Sequence, residues 1–247
     1  MKHVKEVNEI IEKYNEKLDI FYTKFNAGYV ALIGVGITLI SIISAYILYT
    51  NVDPTFNIFS NWISDLGRGP NFSGLAFNSG MILSSFTMLF FQLYLVRDLQ
   101  KRGSDKTLIK LSYISGLCSS IGLFFVGVFP LNFSSILHGI AADTYFFGGL
   151  FGCLIYGILE LKTPNMSKFQ AFIGFLTASV YMTYIIIAIG ALIWPGFTQT
   201  IIYFTEWLTL MFGTLWVLAH GLYTIMISTT GFHKIIMALR KIIRWKR

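Results

Sequence analysis

The chain has 247 residues, 55% of them hydrophobic, 17% aromatic and only 13% charged, with a mean hydropathy of +0.65 and a formal net charge of +7. A soluble domain carries about a quarter charged residues, so this balance excludes a water-soluble globular protein. The charge-free runs are each near the ~20 residues that cross a bilayer, and the alternating segments of ~10 residues typical of a barrel are not seen, so the spans are expected to be helices that satisfy their own backbone groups.

Residues 2 to 26 read as an amphipathic helix. Val4, Val7, Ile11, Tyr14, Leu18, Phe21 and Phe25 recur at alternating steps of three and four, a heptad seam. Glu9 and Lys13 add an i,i+4 pair in the favourable order. Two outcomes fit: a helix lying on the cytoplasmic surface or on the inner ends of the bundle, or a homo-oligomer formed through the heptad seam. No cleavable signal peptide is expected, because the first apolar run follows a polar stretch and is too long for an h-region; that run, 27–50, is expected to act as a signal anchor.

Hydropathy places six spans at about 27–50, 73–96, 109–129, 138–161, 169–193 and 203–227. The fold class is therefore all-α: a six-transmembrane-helix bundle over 27–227, with the amphipathic helix of residues 1–26 before it and a basic tail of 228–247 after it. Basic residues crowd one set of connectors: Lys2 to Lys24, Arg97 to Lys110, Lys162 and Lys168, and Lys234 to Arg247. On the other side only Arg68 occurs. That asymmetry predicts a multi-pass protein of the cell membrane with both termini in the cytoplasm and with 51–72, 130–137 and 194–202 outside. It also accounts for the net charge without any nucleic acid. In the tail, Ile235, Ile236, Leu239, Ile242 and Ile243 form a stripe among Lys and Arg, the composition of an interfacial helix on an anionic leaflet.

Small residues mark expected helix contacts. Ser112, Ser115, Ser119 and Gly122 step along one side of the third span, and Gly148 and Gly152 make a small-xxx-small pair in the fourth. This points to close packing of these two spans and not to a cofactor groove. Cys118 and Cys153 lie in mid-span and read as buried free thiols, although antiparallel third and fourth spans would put them at similar depth, where a disulfide could form. No internal repeat is visible, which disfavours an inverted-repeat transporter. No linker divides the chain.

The longest polar-bearing connector runs from Phe56 to Asn78. Phe56, Phe59, Trp62, Ile63 and Leu66 are spaced as one face of a short helix on the outer leaflet, stopped by Gly67, Gly69 and Pro70. Asp65 falls at the end of that helix, where a carboxylate opposes the macrodipole. Either Arg68 holds it as a local pair, or both turn into the bundle mouth to bind a headgroup or a metal. Asn78, a turn inside the second span, needs partners for its amide. His138 and Asp143 are separated by ~500° of helix, roughly 140° around it, so they face different neighbours and do not form a same-face pair. Glu206, Thr209, Gly213, His220 and Thr224 lie on one stripe of the sixth span, and Glu206 to His220 covers about 21 Å. That stripe is either a pathway or the core-facing seam of the bundle.

Ionisable groups inside a membrane usually face the bundle interior or a water-filled cavity. Asp65, Arg68, Asn78, His138, Asp143 and Glu206 converge in depth on the outer half of the bundle. His138, Asp65 and Asp143 are the candidates for general acid and base; Arg68, Asn78 and Glu206 are the candidates for ligand binding. A mixed histidine and carboxylate set also suits a hard or borderline cation, although no HExxH, GxSxG, P-loop or CxxC pattern accompanies it.

The run Ile63-Ser64-Asp65-Leu66-Gly67, then Asn78, then Gly127-Val128-Phe129-Pro130, then His138 resembles the motif series of a prokaryotic six-span membrane family of unknown function. That family is similar to the eukaryotic Frag/DRAM/Sfk-like proteins, associated with GPI-anchor lipid remodelling, autophagy and membrane lipid organisation. The resemblance implies that Asp65, Asn78, Pro130 and His138 are family-type positions; it carries no settled reaction or cofactor. Three function classes follow. The protein binds, organises or remodels membrane lipid at an outer-facing site, with Arg68 on a phosphate. Alternatively it is a small-solute or proton-coupled transporter or channel along the Glu206–His220 stripe. The third class is a non-catalytic membrane organiser or sensor.

Overall fold

The computed structural model describes residues 14–164, 166–194 and 199–228. Helix α1 occupies 14–24. It is followed by α2 (Ala27–Thr50), a 3₁₀ helix (Ile63–Arg68), α3 (Ser73–Lys101), α4 (Lys106–Val128), α5 (Ser135–Lys162), α6 (Lys168–Ile193) and α7 (Gln199–Ser228). The six helices α2–α7 are each long and apolar enough to cross a membrane, which confirms the expected bundle of six spans. Their starts follow from local chemistry. Asn26, Asp105 and Ser134 precede α2, α4 and α5, and each accepts a hydrogen bond from an otherwise unpaired backbone N–H of the first turn. The heptad positions Val4, Val7 and Ile11, the Glu9–Lys13 pair and the tail stripe Ile235 to Ile243 lie outside the described residues.

The side chains are sorted as a bilayer requires. Ile33, Ile40, Ile47, Ile186 and Ile189 are exposed on the rim, while Thr38, Ser84, Ser119, Thr177 and Thr209 are buried between helices. Each span packs on the next in sequence, and α7 returns to pack on α2, so the six spans close into a ring. The α4–α5 contact is the most extensive, as the small residues predict. A Cβ on Gly122 would lie 2.3 Å from the Tyr145 backbone nitrogen, and one on Gly148 would lie 2.4 Å from that of Ser119. Neither position has room for a side chain, so these glycines set the distance between the two backbones.

The described part of α1 lies against the basic end of α3. The Asp19 carboxylate accepts from Arg97 at 2.9 and 3.1 Å and pairs with Lys101 at 2.8 Å, and the Tyr22 hydroxyl donates to the Phe90 carbonyl at 2.6 Å. Tyr14, Phe21 and Phe25 of the expected heptad seam point away and are exposed.

One expectation is corrected. The stretch from Phe56 is not a helix lying on the membrane surface. Residues 56–62 form turns, and the helical piece is the 3₁₀ segment Ile63–Arg68. This segment rests on α2, α3 and α7 and closes the mouth of the ring at the end opposite the basic residues. Phe56 is buried against Tyr49, Tyr46 and Trp207 inside the mouth, because the ring offers its aromatic face more contact than the interface does.

Candidate functional site

The mouth of the ring is built around two buried carboxylates. Asp65 is 4% exposed and Glu206 is 5% exposed. Asp65 sits in the first turn of the 3₁₀ helix and not at its end: its Oδ2 accepts from the Trp62 N–H at 2.9 Å, and its Oδ1 accepts from Arg68 Nε at 2.9 Å and Nη2 at 2.8 Å. The carboxylate therefore lies at the favourable end of the dipole, which corrects the expected opposition. Arg68 is the local partner, and its side chain remains half exposed.

Glu206 reaches the same turn from α7. Its Oε2 accepts from the Ile63 N–H at 2.7 Å, satisfying a donor that the helix start leaves open. The Trp207 indole N–H donates to the Asn61 carbonyl at 3.0 Å. From α3, the Asn78 amide donates to the Gly67 carbonyl at 2.8 Å and the Ser73 hydroxyl donates to the Leu66 carbonyl at 3.0 Å. The 3₁₀ helix is thus held at its start by α7 and at its end by α3.

His138 lies at the start of α5 and is 5% exposed. Its Nδ1 is 2.8 Å from the Phe129 carbonyl. A carbonyl only accepts, so Nδ1 carries the proton and Nε2 is left as the ring's acceptor. His138, Glu206 and Ser64 line one small cavity beneath the 3₁₀ helix, of about 30 Å³. Asp143 does not join them. It is exposed on the outward face of α5, as the wide angle from His138 demands, so the expected convergence of six residues reduces to five.

A family model described as "Protein of unknown function (DUF998)" matches residues 32–223. The chain belongs to this DUF998 family. No curated protein and no solved structure matches the chain. The DUF998 match begins within α2 and ends within α7, so it takes in the ring and the 3₁₀ closure alike.

Below the mouth this DUF998 chain has a second cavity, of about 50 Å³, on the ring axis. All six spans contribute to it: Thr38 from α2, Ser84 from α3, Leu123 from α4, Gly152 from α5, Tyr181 from α6 and Thr214 from α7 are among its lining. Met81, Leu123, Tyr145 and Leu210 line both cavities and form the partition between them. The Tyr181 hydroxyl donates to that of Tyr145 at 2.9 Å beside this partition. The space holds a few waters or one small solute.

At the end away from the mouth the axial cavity is lined by Trp216 and Tyr156. Behind Trp216, His220 lies with its ring tilted at 34° and 4.3 Å between ring centres, and its Nε2 lies 2.9 Å from Glu160 Oε1. Glu206, Thr209, His220 and Thr224 are all buried, so the α7 stripe faces the interior. Glu160 was not among the sequence candidates. Its place two residues before Lys162 reads as an ordinary span end, yet a carboxylate inside the span boundary is itself a signal of an interior partner. Among the described residues no group of three histidine, cysteine, aspartate or glutamate side chains is placed to hold a metal ion.

Proposed function

We propose that the protein is a proton-linked carrier or channel for a small solute, with both ends of its ring closed in this state. The observation that carries this reading is the axial cavity: all six spans line it, and a carboxylate and a histidine lie toward each of its ends, Glu206 with His138 and Glu160 with His220. Burying charge between spans is costly, and such groups mark ion and solute pathways. The 3₁₀ helix is the closure at the Arg68 end, and Trp216 with the Glu160–His220 pair is the closure at the basic end.

The test is proton entry into liposomes carrying the full-length protein and a trapped pH dye, driven by an imposed potassium potential. Wild type is expected to acidify the lumen at least tenfold faster than Glu206→Gln. Rates equal to those of protein-free liposomes overturn the reading.

A lipid role rests on a different observation. Between α3 and α4 the outer surface carries an apolar groove of about 150 Å³ lined by Leu89, Leu93, Val96 and Leu117, a shape suited to an acyl chain. Arg68, the group expected to take a lipid phosphate, is already paired with Asp65, and the 3₁₀ helix covers the mouth. This reading predicts that Leu93→Trp halves or more the phospholipid retained through purification, weighed by native mass spectrometry; unchanged retention rejects it.

A further inference from the structure

Four of the six buried polar side-chain atoms without a partner among the described residues lie along or behind the basic end of the axial cavity; the other two are Asn78 Oδ1 and Ser120 Oγ. Glu160 Oε2, Gln170 Oε1, Gln92 Oε1 and Trp216 Nε1 are all enclosed and have no hydrogen-bond partner among the described residues. Glu160 is 3% exposed and His220 is 1% exposed. A span built only for stability fills such a place with apolar side chains, because a buried ionic pair rarely outperforms them.

The geometry of the pair counts its protons. His220 Nδ1 is 2.8 Å from the Trp216 carbonyl, which only accepts, so Nδ1 is protonated. His220 Nε2 is 2.9 Å from Glu160 Oε1. With neither atom protonated, two lone pairs would face each other at that distance. One further proton must therefore lie between them, on the imidazole as a cation beside a carboxylate or on the carboxyl as a donor to a neutral ring. Both assignments leave the pair neutral, and losing the proton leaves a net negative charge in an enclosed site.

We propose that Glu160 and His220 together form a binding site for one exchangeable proton, bridging α5 and α7 at the basic end of the ring. The groups around it fit this ligand. From α5, Cys153 and Tyr156 lie within electrostatic reach of Glu160, and from α7 so does Tyr223. Tyr223 is in turn within electrostatic reach of Asp98 in α3 and of Arg102 just after it, which pair with each other at 2.8 Å. From α6, Gln170 donates to the Ala219 carbonyl next to His220 and keeps its own carbonyl as a second waiting acceptor. Glu160 Oε2 and Gln170 Oε1 call for donors, which water supplies, and the axial cavity on the other side of Trp216 has room for it. Separating α5 from α7 breaks the Nε2–Oε1 contact and frees the shared proton, so opening the basic end and releasing a proton are one event.

This rests on the carrier reading and deepens it by assigning the coupling proton to one pair of side chains, and its test uses no flux, so each fails separately. Full-length protein labelled with ¹⁵N-histidine is placed in lipid nanodiscs, and the His220 ring signals are assigned by their loss in His220→Gln. At pH 7 the wild type is expected to show either an imidazolium ring, or a neutral ring together with an infrared carboxylic-acid band that disappears in Glu160→Gln. In Glu160→Gln the ring is expected to be neutral, with Nε2 unprotonated. Should Glu160→Gln fail to fold, Glu160→Asp, which keeps the carboxyl on a shorter stem, is expected to shift the Nε2 signal while retaining the shared proton. A neutral His220 ring beside an ionised Glu160 in the wild type overturns the proposal, as does an Nε2 signal that neither variant moves.

Discussion

Two carboxylates do different work in the same turn. Glu206 holds the 3₁₀ helix through the Ile63 N–H, with the Ser64 backbone and hydroxyl as further partners. Replacing it with Leu leaves that buried donor unpaired and is expected to cost about 1–3 kcal/mol of stability, whereas Glu206→Gln keeps an acceptor and costs less. Thermal unfolding in detergent separates the two; an equal loss means that the charge, and not the hydrogen bond, is what matters. Asp65 accepts from the Trp62 backbone and from Arg68. Asp65→Ala is therefore expected to destabilise by about 2 kcal/mol, and Arg68→Ala, on a half-exposed side chain, by less than about 1 kcal/mol. Comparable losses from both would place the stabilisation in the ion pair alone. Asp65, Arg68, Asn78, His138 and Glu206 were readable because each is polar within or beside an apolar run. What the sequence did not disclose is who meets whom. Glu206 finds a backbone N–H 143 residues away, and His220 meets Glu160 60 residues away, contacts that depend on ring closure and on no local spacing.

Among the elements, the spans were legible and the mouth was not. Apolar length alone recovers α2–α7, because a bilayer demands it. The stretch from Phe56 misled, because helical spacing of aromatics fits a surface helix as well as turns whose rings pack inside a mouth. The small-residue pattern was reliable since it encodes backbone distance. Gly148→Leu has no space against Ser119 and is expected to part α4 from α5, lowering stability by at least the ~1–3 kcal/mol of an overpacked core. Normal thermal stability of that variant would contradict the packing. Helix α1 carries the pH-dependent contact. Hydrogen bonding from Arg97, opposed by desolvation and reinforced by Lys101, lowers the Asp19 pKa from 3.8 to about 2. A carboxyl whose folded pKa is depressed stabilises docking above its unfolded value and loses that contribution as pH falls through the folded one. The protection factor of the amides across residues 14–24, the intrinsic exchange rate relative to the observed rate at each pH, is thus expected to be constant above pH 4 and to fall between pH 4 and pH 2. Asp19→Asn is expected to exchange fast throughout; identical pH profiles for the two proteins would remove Asp19 from the docking.

At the scale of the whole molecule, the account rests on a closed ring with its polar groups inside. The six spans surround an axial cavity, the 3₁₀ helix covers one end and the Glu160–His220 pair lies behind the other. The orientation expected from the basic residues then puts the 3₁₀ closure on the outer face. If this arrangement is a passage, water and small reagents enter the cavity when either end opens. The most direct measurement is thiol labelling in liposomes, in a background lacking Cys118 and Cys153, of Ser84→Cys inside the cavity and of Ile186→Cys on the lipid-facing rim. A small membrane-impermeant thiol reagent is expected to label Ser84→Cys and to leave Ile186→Cys unmodified. Labelling of neither position, or of Ile186→Cys alone, would contradict a passage through the ring.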